Sequence, residues 1–290
     1  MQAFTYDAPT SLSQALSQLA AAGDTGRLLA GGTDLIIQMR AGVKQPGVII
    51  DAKTIPELQG CTFSAQDGLR LGASYPCCKF IEDATMQQHY PGLVEAAGLI
   101  GSDQILSRAS VGGNLCNGSP AADTPPVLIA LGASCHIAGP NGERDVAAEE
   151  FVTGPGETVL GPDEILVDIR IPAPQGQTAD CYQRFIPRNE MDIAVVGVGS
   201  CVALDGDTCT AARIGLGAVA PTQLFAEEAS VYLVGKPLTD ENIARAAELA
   251  QGIARPISDM RGTAEFRTHL VGVLTRRTLK QAGDRARAKA

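Results

Sequence analysis

The stretch from Ser11 to Ile50 constrains the fold more than any other part of the chain, because it passes through helix, strand, glycine turn, helix and strand in quick succession. Ser11-Leu-Ser-Gln14 fits a capping box. Leu12, Ala15, Leu16, Leu19 and Ala20 then recur at helical spacing until Gly23 stops the helix. Arg27-Leu-Leu-Ala30 reads as a short strand ending at Gly31-Gly32-Thr33-Asp34. Leu35 to Arg40 reads as a helix closed by Gly42, and Val48 to Ile50 as a buried strand. That rhythm belongs to a small α/β unit with parallel strands.

From Leu58 onward the pattern changes. Cys61 to Ala65 and Leu69 to Ala73 alternate around Gln66-Asp-Gly68, a hairpin signal. Helical stretches at Pro91 to Ile100 and Asp123 to Leu131 separate further strands, among them Ser134 to Ala138 and the alternating Glu164 to Ile171. Pro172 to Thr178 is the best linker in the sequence. Strands at Tyr182 to Ile186, Ile193 to Leu204 and Ala211 to Val219 follow, then helices at Phe225 to Val234, Thr239 to Ile253 and Thr263 to Gln281. The last carries Phe266, Leu270, Val273 and Leu274 on one face. The fold expected is α+β. A first domain, residues 1–175, combines a small α/β unit (about 1–56) with a mixed α+β unit (57–175). A second, residues 176–290, is an antiparallel sheet with a layer of three helices.

Composition removes several function classes. A chain of 290 residues is long enough for about two domains. Its longest apolar runs, Ile193 to Val198 and Val127 to Leu131, fall far short of the roughly 20 residues that span a bilayer, so an integral membrane protein is not expected. The start, Met1-Gln-Ala-Phe-Thr-Tyr-Asp, has no basic region followed by an apolar one, which points to the cytoplasm. A net charge of −9 argues against a nucleic-acid partner. The basic cluster of Arg276, Arg277, Lys280, Arg285, Arg287 and Lys289 reads as the cationic end of a final helix with a solvated tail. The 8 cysteines contain no C-x-x-C pair and no histidine at zinc-finger spacing, so no metal site is expected on this chain.

Two glycine elements carry the chemistry. Ala30-Gly31-Gly32-Thr33-Asp34 lies between a strand and a helix, where backbone amides and a helix dipole can hold a phosphate. It is neither the G-x-G-x-x-G fingerprint nor a P-loop with its lysine. Ser110-Val-Gly-Gly-Asn114, followed by Asn117, Gly118, Ser119 and Asp123, is an unusually polar stretch for so hydrophobic a protein, and reads as a loop free to wrap a ligand. Asp123 also fits the N-cap of the helix that begins at Thr124-Pro-Pro126. Together the two elements suggest a long, diphosphate-containing ligand held at two places.

These elements, with Ser119-Pro-Ala-Ala-Asp123, Arg188-Asn-Glu-Met-Asp-Ile-Ala194, Ile214-Gly-Leu-Gly-Ala-Val-Ala-Pro221 and Pro256 to Arg267, resemble the flavoprotein, or medium, subunit of the molybdenum hydroxylases, the xanthine dehydrogenase and aerobic carbon monoxide dehydrogenase family. The resemblance runs in order over nearly the whole chain and implies an FAD-binding fold of the vanillyl-alcohol-oxidase type with noncovalent FAD. It implies cofactor contacts from Leu28, Leu29, Ala30, Gly31, Gly32, Thr33, Asp34 and Leu35, the first glycine element among them holding the pyrophosphate through its backbone amides, with Thr33 and Asp34 adding polar contacts. The second, through Ser110, Gly113, Asn114 and Asn117, runs beside the flavin and ribityl chain, and Asp123 serves the adenosine side. Leu166 and Arg184 match residues that flank the isoalloxazine, Arg184 replacing a lysine common there, and Ile100 and Gly101 match a contact that is aromatic in some members. No catalytic residue and no metal ligand are expected on this chain. Molybdopterin and 2Fe-2S clusters belong, by the same resemblance, to a large and a small partner subunit in a dimer of heterotrimers, with NAD or another acceptor receiving the electrons. Members that reduce aromatic coenzyme A thioesters carry a cysteine-rich insertion that this chain lacks. Two other readings stand beside this one: a self-contained flavoprotein reductase, for which no proton-donor motif is visible, and a flavin-free scaffold subunit, against which the intact glycine elements speak.

Overall fold

A computed structural model describes residues 2–289. The first unit comprises β1 (Thr5–Asp7), α1 (Leu12–Ala22), β2 (Gly26–Leu29), α2 (Leu35–Arg40) and β3 (Val48–Asp51). Its sheet runs β1-β3-β2, all parallel, as the helix–strand rhythm requires. Ser11 caps α1 by accepting from the Gln14 N–H at 3.3 Å, but Gln14 reaches back to the N–H of Thr10, at 3.1 Å, and not to that of Ser11. The edge strand β1 is too short to show a period. It is fastened where the Tyr6 hydroxyl donates to the carboxylate of Asp51.

The second unit contains β4 (Cys61–Ser64), β5 (Gly68–Gly72), α3 (Cys77–Glu82), α4 (Ala84–His89), α5 (Pro91–Gly98), α6 (Asp103–Leu106), α7 (Val111–Cys116), α8 (Thr124–Ala130), β6 (Ser134–Gly139), β7 (Gly142–Ala147), α9 (Ala148–Phe151), β8 (Val152–Gly154), β9 (Glu157–Thr158) and β10 (Ile165–Ile171). Its main sheet is antiparallel, in the order β4-β5-β10-β6-β7. The alternation of β10 suggests one wet face, yet Ile165 to Ile169 are all buried. Asp168 is accommodated there by Arg70 at 2.8 Å and Arg170 at 2.9 Å, so its charge is paired on both oxygens. The polar stretch after Ser110 is not a continuous loop. It forms α7, because Ser110 caps the N–H of Gly113 at 3.0 Å and thereby starts a helical turn.

The third unit comprises β11 (Gln177–Phe185), β12 (Val196–Asp205), β13 (Thr208–Gly217), β14 (Leu224–Phe225), α10 (Glu227–Leu233), α11 (Asp240–Ile253) and α12 (Ala264–Arg287). The sheet runs β11-β12-β13-β14, antiparallel throughout. α12 covers one face, where Ser200 and Thr278 share a hydrogen bond of 2.8 Å. The opposite face is not open: α5 and α8 of the second unit lie on it. A Cβ on Gly199 would sit 2.6 Å from the Cα of Val127, and one on Gly215 would strike the carbonyl of Pro126, so bare backbone admits α8. All seven residues of α8 are buried.

Two sequence expectations are corrected at the C-terminal end. α12 buries Leu270, Val271, Leu274 and Leu279, while Phe266 is 40% exposed and meets Phe185 edge-on, so the inner face is rotated from the expected one. The basic cluster does not trail into a solvated tail. Arg285 pairs with Glu95, Arg287 with Asp207 at 3.0 Å, and Lys289 donates to the Thr178 carbonyl at 2.8 Å. Among the described residues, no helix is long and apolar enough to cross a membrane.

β11 also holds the units together through Asp180, 1% exposed, whose carboxylate accepts the Leu93 N–H at 3.1 Å in the first turn of α5. Burial pushes this carboxyl up to about 7, against the N–H groups of Gly92 and Leu93 and against Arg285. The fold thus binds this proton more tightly than the unfolded chain does. Its contribution is complete at low pH and is lost as pH rises from about 4 towards 7. Asp180→Asn keeps the acceptor and removes the titration. Denaturant unfolding from pH 5 to pH 8 should therefore show the variant gaining on the wild type by on the order of 2–3 kcal/mol; a constant difference would contradict this assignment.

Candidate functional site

The first glycine element bends the chain from β2 into α2, and the second starts α7. Three-dimensional packing presses them together. A Cβ on Gly31 would run into the carbonyl of Arg108, just ahead of the second element, and a Cβ on Gly112 would lie 2.5 Å from the Cα of Ala73 at the end of β5. The glycines at 31 and 112 are therefore required first by backbone packing, and only through it by any ligand. Gly113 differs: a Cβ there would meet Ser110 Oγ at 3.0 Å and Ala30 Cβ at 3.9 Å, with nothing else within 4 Å.

Between the two elements lies a cavity of about 690 Å³, within the range of roughly 300–1,000 Å³ typical of cofactor and ligand sites. Of the residues singled out from sequence, Leu28, Ala30, Gly31, Gly32, Thr33, Asp34, Leu35, Ile100, Ser110, Gly113, Asn114, Asn117 and Leu166 line it. Leu29, Gly101, Asp123 and Arg184 do not. Leu29 points its methyl towards Gly32, and Gly101 makes a left-handed turn with φ +65° against Ile105.

The hydrogen bonding of the wall gives it a chemical sense. Ser110 Oγ accepts the Gly113 N–H. Asn114 Oδ1 accepts both the Thr124 N–H, at 3.3 Å, and its hydroxyl, at 2.7 Å; Asn117 Oδ1 accepts the Gln38 amide at 3.1 Å. The oxygens of these three side chains are engaged inside the protein, which leaves the Ser110 hydroxyl proton and the two amide groups as donors for whatever enters. A donor-rich wall suits phosphate, ribose and carbonyl oxygens. Apolar Leu28, Val43, Ile100, Leu160, Ile165 and Leu166 supply surface for flat rings. Glu164 is turned away from that task, since Arg144 at 2.7 Å holds its carboxyl below the usual range. Cys116 lines the cavity with a thiol that burial pushes up to about 12.

Asp123 departs from its expected place. It adopts helical dihedrals and caps nothing, Asn114 serving the start of α8 instead. Its carboxylate is buried between the Tyr182 hydroxyl at 2.9 Å and Arg184 at 2.7 Å. Burial raises its carboxyl despite both partners. A single ion pair cannot serve opposite ends of an extended dinucleotide, so Asp123 at the adenosine side and Arg184 at the isoalloxazine are not both tenable.

Several wall residues escaped sequence reasoning. Gln38 and Lys44 look like ordinary polar positions of a surface helix and its exit. Ser74 follows an unremarkable strand. Pro155, Gly156 and Glu157 form the tip of the β8–β9 hairpin, whose Gly156 N–H donates to the Gly118 carbonyl at 2.9 Å. The Gly154-Pro-Gly156 signal marks that turn but not its destination.

Comparison with known proteins finds matches over nearly the whole chain. Residues 2–174 match the FAD binding domain in molybdopterin dehydrogenase, and residues 182–282 the CO dehydrogenase flavoprotein C-terminal domain. The chain is 36% identical to the carbon monoxide dehydrogenase medium chain of Hydrogenophaga pseudoflava, over 97% of this chain and 98% of that one. It is 32% identical to the xanthine dehydrogenase FAD-binding subunit of Escherichia coli O157:H7, over 96% and 95% respectively. A solved structure of carbon monoxide dehydrogenase from Hydrogenophaga pseudoflava superposes with a TM-score of 0.93, at 36% identity and 98% coverage of both chains.

The two glycines separate packing from binding. Gly31→Ala should lower stability by about 2 kcal/mol or more, seen as a depressed melting temperature, because the Arg108 backbone cannot yield. Gly113→Leu should melt within a few degrees of the wild type. Equal losses in both would show that Gly113 is also a packing requirement.

Proposed function

The chain belongs to the FAD-binding medium subunits of the molybdenum hydroxylases, the family of the carbon monoxide and xanthine dehydrogenase flavoproteins, and from that premise we propose that it binds FAD noncovalently between its two glycine elements and relays electrons through it. The single observation that carries the cofactor site is the cavity between the glycine elements, where Ser110, Asn114 and Asn117 have their side-chain oxygens engaged within the protein and keep donors free. When bound, FAD supplies the redox chemistry; the protein supplies position and electrostatics. The backbone of Ala30 to Asp34 would cradle the pyrophosphate, while Ser110, Asn114 and Asn117 would donate along the polyol chain. Leu166 and Ile100 would flank rings. The high position of the Cys116 thiol keeps it protonated and weakly nucleophilic, in keeping with noncovalent binding.

We place Asp123, Tyr182 and Arg184 together as one unit at the isoalloxazine end. Arg184 keeps a buried Nε with no protein partner, and Asp123 offsets its charge. In this reading the fold is of the vanillyl-alcohol-oxidase type, divided near residue 175. The linker Pro172 to Gly176, the separate core of the third unit and the limits of the two family matches support that division. The relatives are named as medium or FAD-binding subunits, which supports an assembly with a large molybdopterin subunit and a small 2Fe-2S subunit. Electrons would arrive from the small subunit and leave to NAD or another acceptor, in a cytoplasmic dimer of heterotrimers.

Full-length protein incubated with FAD and freed of excess should retain a flavin visible spectrum, which substrate addition to the assembled complex should bleach. Gly113→Leu should lose the colour while remaining folded. A colourless wild-type chain would sink the proposal.

A further inference from the structure

Among the described residues, eight buried side-chain nitrogen or oxygen atoms have no hydrogen-bond partner, and only one of them, Ser74 Oγ, belongs to a residue of the large cavity. Ser74 is 4% exposed. The other three buried serines are all engaged: Ser110 caps the Gly113 N–H, Ser200 pairs with Thr278, and Ser230 accepts the Ile214 N–H at 3.1 Å. Ser74 is also held in place without its hydroxyl. Its N–H donates to the Leu58 carbonyl at 2.9 Å, and its own carbonyl accepts the Gln59 amide at 3.1 Å. The preceding Ala73 donates to the Val167 carbonyl at 2.9 Å and lies under Gly112. Hydrogen bonds of the backbone to two neighbouring segments, at 58–59 and at 167, thus fix the position, and alanine would fill it equally well. A buried hydroxyl left unpaired is a cost to the fold unless something else supplies its partner.

We infer that Ser74 Oγ is a direct hydrogen-bonding contact of the bound dinucleotide, on the wall beside the second glycine element. The inference rests on the flavin reading of the cavity. A hydroxyl can donate to a carbonyl, phosphate or sugar oxygen and can accept from a sugar hydroxyl or ring N–H, all of which FAD presents. The oxygen as it stands is closed off from the cavity; rotation about the single Cα–Cβ bond, with no backbone movement, turns it towards the ligand.

The decisive experiment compares full-length wild type, Ser74→Ala and Ser74→Cys by FAD titration and by melting of the flavin-free protein. Both variants should bind FAD about tenfold more weakly, equivalent to about 1.4 kcal/mol, while Ser74→Ala melts at or above the wild-type temperature. A serine needed only for folding would instead lower the melting temperature along with the affinity. That result, or unchanged affinity in both variants, overturns the role of Ser74. If the wild type itself takes up no FAD, the flavin reading falls and this contact with it; uptake by wild type and variants alike removes the contact alone.

Discussion

The packing of α8 against the backbone of β12 and β13 is the contact on which the rest depends. α8 is hydrophobic on every side, and its Val127, Leu128 and Ile129 are fully buried, each such burial stabilising by roughly 1.5–3 kcal/mol. A helix of that kind needs cover all round. The second unit covers one side and the sheet of the third unit the other, where Gly199, Gly215 and Gly217 let the helix backbone approach. Arg213 reinforces the junction by donating to the Ile129 carbonyl at 2.9 Å and pairing with Glu149 at 2.7 Å. At the head of the helix, Asp123 joins Tyr182 and Arg184, a buried ion pair whose separation would be costly because either partner alone would be an uncompensated charge.

The cavity inherits its shape from this contact. α8 begins where Asn114 accepts from Thr124, so α7 is anchored at its far side; Gly112 anchors it on Ala73, and the segment just before it meets Gly31. A chain of close backbone approaches thus runs from the third unit to the first glycine element. Each link admits only glycine or a specific hydrogen bond. This explains how short helices of six residues, α2 and α7, which would not persist alone, present a fixed set of donors. Preorganised donors lose little on binding, which is what a tightly held redox cofactor requires.

Most elements were legible because their signals are local. The α1 cap, the Gln66-Asp-Gly68 hairpin, the Pro172 linker and the helix from Thr239 to Ile253 each announce themselves within a dozen or so residues. The elements that escaped, β1, α3, α4, α6, α7, β7, α9, β8, β9 and β14, are two to six residues long and exist through tertiary contacts. Of the site, the two glycine elements were legible as motifs, and the neighbours Thr124-Pro-Pro126 made Asp123 read as a cap. Its true bonds, to residues 59 and 61 positions away, carry no local mark. The alternate glycines of β12 and β13 were a signal of close approach that pattern alone leaves without a partner.

By itself, the sequence determined an α+β architecture, two glycine elements in the order of a known family, and the absence of cysteine spacing for a metal site on this chain. Periodicity, capping and motif order are properties of neighbouring residues, and they survive translation into structure. Only the tertiary structure decided that Gly31 and Gly112 serve backbone packing, that the oxygens of Ser110, Asn114 and Asn117 turn inward to leave donors, that Asp123 and Arg184 form one unit, and that the hydroxyl of Ser74, a residue of the cavity wall, has no partner. Those outcomes depend on which distant surfaces meet at van der Waals distance, and no local pattern encodes that.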